Sequence, residues 1–173
     1  MSKDKTPAAI PMERSAEPAG RVPDLPELAG RDYQELWFSL ARQPWRTAVL
    51  VPADPAIRSD EAAHALAGIG RKLGFTQAAA LVADQIEFST VGALTARVAA
   101  AQAQGPEGAA PPQLIVAIPP VVLQPLGVAV ARAADTVVLC LAVGQTSLEH
   151  VRHTIDLVGR ERIRGAMVVP ARP

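Results

Sequence analysis

Ala133-Ala-Asp-Thr-Val-Val-Leu-Cys-Leu-Ala-Val-Gly-Gln-Thr146 is the stretch that decides the fold. From Thr136 to Val143 its residues are apolar without alternation, which fits a strand buried on both faces. The run is well short of the roughly 18 residues a bilayer span needs. Gly144-Gln145-Thr146 turns the chain. Ser147 caps a helix with Leu148, Val151, Ile155 and Val158 on one face, and Gly165-Ala-Met-Val-Val169 reads as a last strand.

The same alternation runs back towards the amino end. Leu114 to Ile118 is a strand ended by Pro119-Pro120, with a helix around Pro125 to Ala133. Ala78 to Ala83 is a strand. The helix after it, Thr90 to Ala103, turns Val91, Leu94 and Val98 inward, and residues 104–112 form a Gly/Pro-rich surface linker. Thr47 to Val51 is a buried strand followed by the loop Pro52 to Arg58. Ser59 or Asp60 caps a helix to about Leu73, with Ala62, Leu66, Ile69 and Leu73 inward and Gly74 as its stop. Before these, Arg31 to Gln43 is helical, with Tyr33, Leu36, Trp37 and Leu40 on one face, and Pro44 ends it. Residues 1–29 are Pro-rich with few apolar positions and read as a disordered arm, either a solvated leader or a partner-binding tail. The remainder, 30–173, is one domain.

Doubly apolar strands alternating with amphipathic helices define an α/β fold: a mostly parallel sheet with helices on both faces, in three layers. Ligands of such sheets bind beyond the carboxyl ends of the strands. The loops 52–59, 84–89, 117–125 and 143–147 are expected to gather there.

Composition narrows the function classes. Lys+Arg and Asp+Glu both number 17, so the formal net charge is zero and no whole-molecule field favours nucleic acid or an anionic membrane. Aromatic residues make up 3%, which argues against base stacking. Cys140 is the single cysteine, so neither an intrachain disulfide nor a zinc cluster is expected, and its apolar surroundings make it a core residue. The first twenty residues lack the apolar centre of a secretory signal. The expected location is the cytoplasm, with docking on a membrane protein compatible.

From about Arg31 to Val169 the order of motifs resembles the cytoplasmic ATPase domain of bacterial tyrosine kinases (BY-kinases), which act in capsule and exopolysaccharide assembly. These belong with the Min/Par-type deviant Walker P-loop ATPases. The resemblance is carried by Leu114-Ile-Val-Ala-Ile-Pro-Pro-Val-Val122 and the opening stretch, then by His150-Val-Arg-His-Thr-Ile-Asp-Leu-Val158 and Ile163-Arg-Gly-Ala-Met-Val168. It implies a P-loop NTPase-like frame. The family's chemistry does not carry over. A phosphate loop needs glycines, a bridging Lys and a magnesium-binding Ser/Thr. The matching segment, Pro55-Ala-Ile-Arg-Ser-Asp-Glu61, has no glycine; Ser59 stands at the Lys position and Asp60 at the magnesium Ser. Asp60 and Glu61 complement the helix dipole themselves and would repel an entering phosphate; Arg58 offsets one charge. The Walker B aspartate corresponds to Ala117, and the Asp-x-Asp after the second strand is reduced to Val82-Ala-Asp84. The Asp-Ala pair after Pro-Pro falls at Leu126-Gly127. Of that acidic set only Asp84 survives, a cap or turn residue on its own. The Glu-x-x-Arg-x-x-Arg of ring formation corresponds to Arg31, Gln34 and Trp37. Tyr33 is the single tyrosine, so no autophosphorylated cluster is expected.

Other groupings weigh less. His150, His153 and Asp156 stand three apart on one helix, a spacing that suits a metal ion but equally a solvated face. Neither a Gly-x-Ser-x-Gly elbow nor a Gly-x-Gly-x-x-Gly turn exists. Tyr33, Trp37 and Phe38 concentrate aromatic character, as core or as an interface. The expectation is a non-catalytic P-loop-like domain without a cofactor or a metal ion, a binding or regulatory subunit in exopolysaccharide biosynthesis or export. Its partner would be a membrane polysaccharide co-polymerase or an active ATPase homologue, met through residues 1–29 or helix 31–43, with no nucleic acid and no insertion into the membrane. Two alternatives stand beside it. One is a nucleotide-binding ATPase or kinase with a divergent site, its ligand held by Arg58, Ser59, Asp84 and Thr146. The other is a structural relative of DNA-repair or cell-division ATPases.

Overall fold

A computed structural model of the chain describes residues 27–103 and 112–169. The expected arm lies outside the described residues up to residue 26, and the 104–112 linker up to residue 111. The elements, in chain order, are α1 Glu27–Leu40, β1 Thr47–Pro52, α2 Asp60–Lys72, β2 Ala79–Val82, α3 Phe88–Ala103, β3 Leu114–Ala117, α4 Gly127–Ala133, β4 Thr136–Leu141, α5 Leu148–Val158 and β5 Ile163–Val168. A single 3-10 turn, Arg160–Arg162, leads into β5. The five strands form one sheet in the order β2-β3-β1-β4-β5, every pair parallel. The fold is therefore α/β in three layers, as the alternation requires.

Crossover handedness assigns the layers. The β1-to-β2 connection runs one way along the sheet, whereas those from β2 to β3, β3 to β4 and β4 to β5 run the other way. Right-handed crossovers then put α2 on one face and α3, α4 and α5 on the other. α1 joins α2, where Tyr33, Leu36, Trp37 and Leu40 pack against Leu50, Leu66 and Cys140. On the opposite face Val98, Val130 and Val158 cover Val49, Val116 and Val137. Successive residues of β1 thus serve different cores, which is why its sequence is apolar throughout. Burial pushes the Cys140 thiol up to about 12, so it stays protonated as a core residue.

Two glycines set how closely the α1 layer approaches. Trp37 stacks edge-on against Trp45, with ring centroids 5.2 Å apart. It lies over Gly70 of α2, where an added Cβ would come within 2.7 Å of its Cζ3 and 2.9 Å of the Ala78 Cβ. At Gly165 of β5 a Cβ would meet Leu36 Cδ1 at 3.1 Å.

At the amino ends of the strands Asp135 ties β1 to β4. Its Oδ2 accepts from the amides of Arg46 at 2.8 Å and Thr47 at 2.9 Å, and its Oδ1 from Gln102 Nε2 at 3.0 Å. The Asp135 amide in turn donates to Thr47 Oγ1 at 2.9 Å.

Several boundaries and faces differ from the sequence reading. α1 begins at Glu27 rather than Arg31 and gives way to a turn after Leu40. β2 is a half-exposed edge strand, because only β3 pairs with it. β5 starts at Ile163 rather than Gly165, and its register shifts at Arg164, opposite Val137/Val138. Leu148 opens α5 at the rim and is 74% exposed, while Thr154 takes the interior position. Leu73 falls after the last turn of α2, beside Gly74 at φ 95°, and is also exposed. On α3 Val98 is buried, and Val91 and Leu94 are half-buried. Among the described residues no helix is long and apolar enough to cross a membrane.

Candidate functional site

The helices after β1 and β3 leave on opposite faces although those strands are neighbours, and a crevice opens between them at their carboxyl ends. It holds about 580 Å³ and is walled by the β1–α2 loop, the end of β2 from Val82 to Gln85, and the end of β3 from Ala117 to Pro120. Leu50 and Ala117 stand side by side in the β1–β3 register.

The β1–α2 loop is fixed at both ends. Asp54 is buried. Its Oδ1 accepts from the Ala56 amide at 3.1 Å; its Oδ2 lies 2.8 Å from His150 Nδ1 and accepts from the Ser147 amide at 3.3 Å. The hydrogen bond from His150, more than the backbone amides of Ala56 and Ser147, holds the Asp54 carboxyl below the ordinary aspartate value against the opposing effect of burial. With Asp54 ionised, the His150 Nδ1 carries the proton and donates. Ser59 occupies the N-cap position of α2, but its hydroxyl makes no cap bond. It lies instead 3.4 Å from the Leu50 carbonyl and 3.3 Å from the Ile118 carbonyl. Its single hydrogen serves one of them at a time.

The amino end of α2 is occupied by the chain's own charges. Burial of Asp60 opposes its ionisation. The Arg58 hydrogen bond and the backbone amides of Asp60 and Glu61 outweigh it, and the carboxyl is held below its ordinary value. Arg58 Nε donates to Asp60 Oδ1 at 3.2 Å, and its terminal nitrogen donates to Asp84 Oδ1 at 3.1 Å. These bonds, the one to Asp60 foremost, raise the Arg58 pKa further. Asp84, expected as a turn residue, is 75% exposed along its side chain and reaches across the crevice mouth to Arg58. Beyond the crevice Gln124 Oε1 accepts from the Ile86 amide at 2.8 Å and ties the β2–α3 loop to the β3–α4 loop.

Arg58, Ser59, Asp60, Asp84 and Ala117 thus converge on one crevice. Thr146 does not line it; its Oγ1 accepts from the Ala142 amide at 2.7 Å, and the Ser147 amide of the 143–147 loop donates to Asp54 in the β1–α2 loop. Of the aromatic trio, Tyr33 and Trp37 are core residues at 5% and 1% exposure, whereas Phe38 is 59% exposed. His150 is engaged with Asp54, His153 and Asp156 lie exposed on α5, and no group of three or more His, Cys, Asp or Glu poised for a metal ion occurs among the described residues. The Asp54–His150 contact was invisible in the sequence, since its partners are 96 positions apart.

The chain matches no family model and no curated protein.

Proposed function

We propose that this is a non-catalytic, P-loop-like domain that works as a binding or regulatory subunit in the cytoplasm, in exopolysaccharide biosynthesis or export. The pathway rests on the resemblance of the β3-to-β5 segment to BY-kinase ATPase domains. A membrane polysaccharide co-polymerase or an active ATPase homologue is the partner that resemblance implies. One observation carries the loss of nucleotide chemistry. At the helix amino end where a phosphate would sit, Asp60 already accepts the first amides of α2 and is paired with Arg58, which also spans to Asp84. A phosphate would have to displace a carboxylate that is covalently part of the helix. It would find neither a glycine nest nor a lysine there, and Ala117 offers no oxygen to a magnesium-bound water.

Thermal unfolding with magnesium and millimolar ATP, ADP or GTP tests this. Ligand bound only to the native state must raise Tm. No shift is expected with any of the three. A saturable rise with one of them sinks the reading and favours a nucleotide binder with a divergent site.

A further inference from the structure

The parallel sheet gathers every strand's amino end, and the carboxyl ends of the helices, at the pole opposite the crevice. Positions scattered in sequence converge there. Arg42 follows α1, Arg132 lies in the last turn of α4, and Arg160, Arg162 and Arg164 run from the 3-10 turn into β5. Arg162 Nη1 donates to the Arg132 carbonyl at 2.6 Å, and Arg132 Nη2 donates to the Leu157 carbonyl at 2.9 Å. Arg42 and Arg164 line one hollow of about 390 Å³, whose single carboxylate is Glu161. Arg162 is half-buried and the other four are exposed. Among the described residues none of these five enters an ion pair. Arg71 and Lys72, at the end of α2, add the same sign on the other face.

Basic residues at helix carboxyl ends ordinarily offset the macrodipole. The dipoles of α1, α4 and α5 supply only about half a negative charge each. Together with Glu161, Asp135 and Asp156 they are outnumbered by the five guanidinium groups with Arg46, Arg71 and Lys72, which leaves the pole net positive. A chain of zero net charge is therefore polarised by its fold. Phe38, in the last turn of α1 and one turn before Arg42, adds an exposed aromatic ring at the same end of that helix.

We propose that this arginine pole docks the protein peripherally on an anionic lipid surface, guanidinium groups on headgroup phosphates and Phe38 at the acyl boundary. Guanidinium forks pair with phosphate oxygens, and a lone exposed aromatic among cations suits an interface better than a run of bases, which needs successive stacking rings. The inference is independent of the nucleotide reading, since the two poles share no residue.

The test is cosedimentation of the full chain with vesicles of phosphatidylcholine alone or with about a third phosphatidylglycerol. Binding is expected only to the anionic vesicles, and at least tenfold weaker when salt rises from about 50 to about 500 mM, where the Debye length shrinks severalfold. Each arginine near such a surface contributes about fivefold, so R160Q/R164Q should weaken binding about 25-fold. R160K/R164K should retain most of it, and both variants should melt like the parent because the two side chains are exposed. Phe38→Ser should weaken binding without altering its salt dependence. Equal binding to neutral vesicles, no binding at low salt, or indifference to R160Q/R164Q would overturn the proposal. So would tighter binding to a short DNA duplex than to the anionic vesicles.

Discussion

Replacing Asp135 by alanine removes the acceptor on which the central strand starts. Two backbone amides, those of Arg46 and Thr47, point at one carboxylate oxygen at 2.8 and 2.9 Å, and Gln102 Nε2 at the other. Thr47 is fully buried, so its amide has no route to bulk water, whereas Asp135 itself is half-buried and water can enter part of the vacated space. A hydrogen bond to a charged acceptor contributes about 1.5–3 kcal/mol, and a stranded buried donor costs about 1–3 kcal/mol. With water rescuing one donor, Asp135→Ala should cost about 2–4 kcal/mol. For a domain of this size that lowers Tm by about 6–12 °C. Asp135→Asn should cost roughly half as much, because its remaining oxygen can still serve both amides. Urea denaturation followed by far-UV circular dichroism gives both values. A midpoint for Asp135→Ala within about 0.5 kcal/mol of the parent would refute the view that this carboxylate anchors β1 to β4.

Two glycines of one helix should respond with opposite signs. At Gly68 an added Cβ meets nothing nearer than Arg71 Nη2 at 4.0 Å, so Gly68→Ala should stabilise by up to about 1 kcal/mol through helix propensity. At Gly70 the Cβ collides with Trp37 and Ala78, and Gly70→Ala should destabilise by about 1–2 kcal/mol despite the same propensity gain; equal Tm changes for the two would contradict the packing described. The Asp54–His150 contact predicts an acid sensitivity. The folded pKa of Asp54 is depressed, so its contribution is complete above the unfolded aspartate value near 3.9 and is lost as pH falls through the folded value. Asp54→Asn should therefore be less stable than the parent at pH 6, and the gap should narrow below about pH 3.9. A gap that persists unchanged in urea melts down to pH 2 would exclude this linkage.

The fold was legible because each strand and helix announced itself through its own local pattern. Thr47 to Val51 and Thr136 to Leu141 are apolar on both faces because both faces carry helices, whereas the apolar run expected as strand to Val143 overshoots: β4 ends at Leu141 and Val143 is 80% exposed in the turn that follows. Edge effects were not legible. Ala78 to Ala83 reads like a central strand, yet its place at the sheet edge, and hence its half-exposure, depends on pairing order that local pattern does not encode. In the crevice, Arg58, Ser59, Asp60, Asp84 and Ala117 come together because parallel topology collects the strand carboxyl ends, which the alternation of elements already implied. Who bonds to whom was hidden: the Arg58–Asp84 bridge and the Asp54–His150 contact join separate loops. The arginine pole was hidden for the same reason, its members lying between Arg42 and Arg164 with no charge run except Arg160 to Arg164.

The central position of β1 has a consequence for synthesis. Its partners are β3 and β4, and β2, the next strand made, does not touch it. β3 must insert between two strands that are already complete, so until Leu114 to Ala117 has left the ribosome no sheet can start. During that interval Thr47 to Pro52, buried along its whole length in the finished molecule, has no neighbour to pair with. A nascent chain that stops before Leu114 therefore carries an apolar strand without its native partners, the kind of exposed segment that favours aggregation.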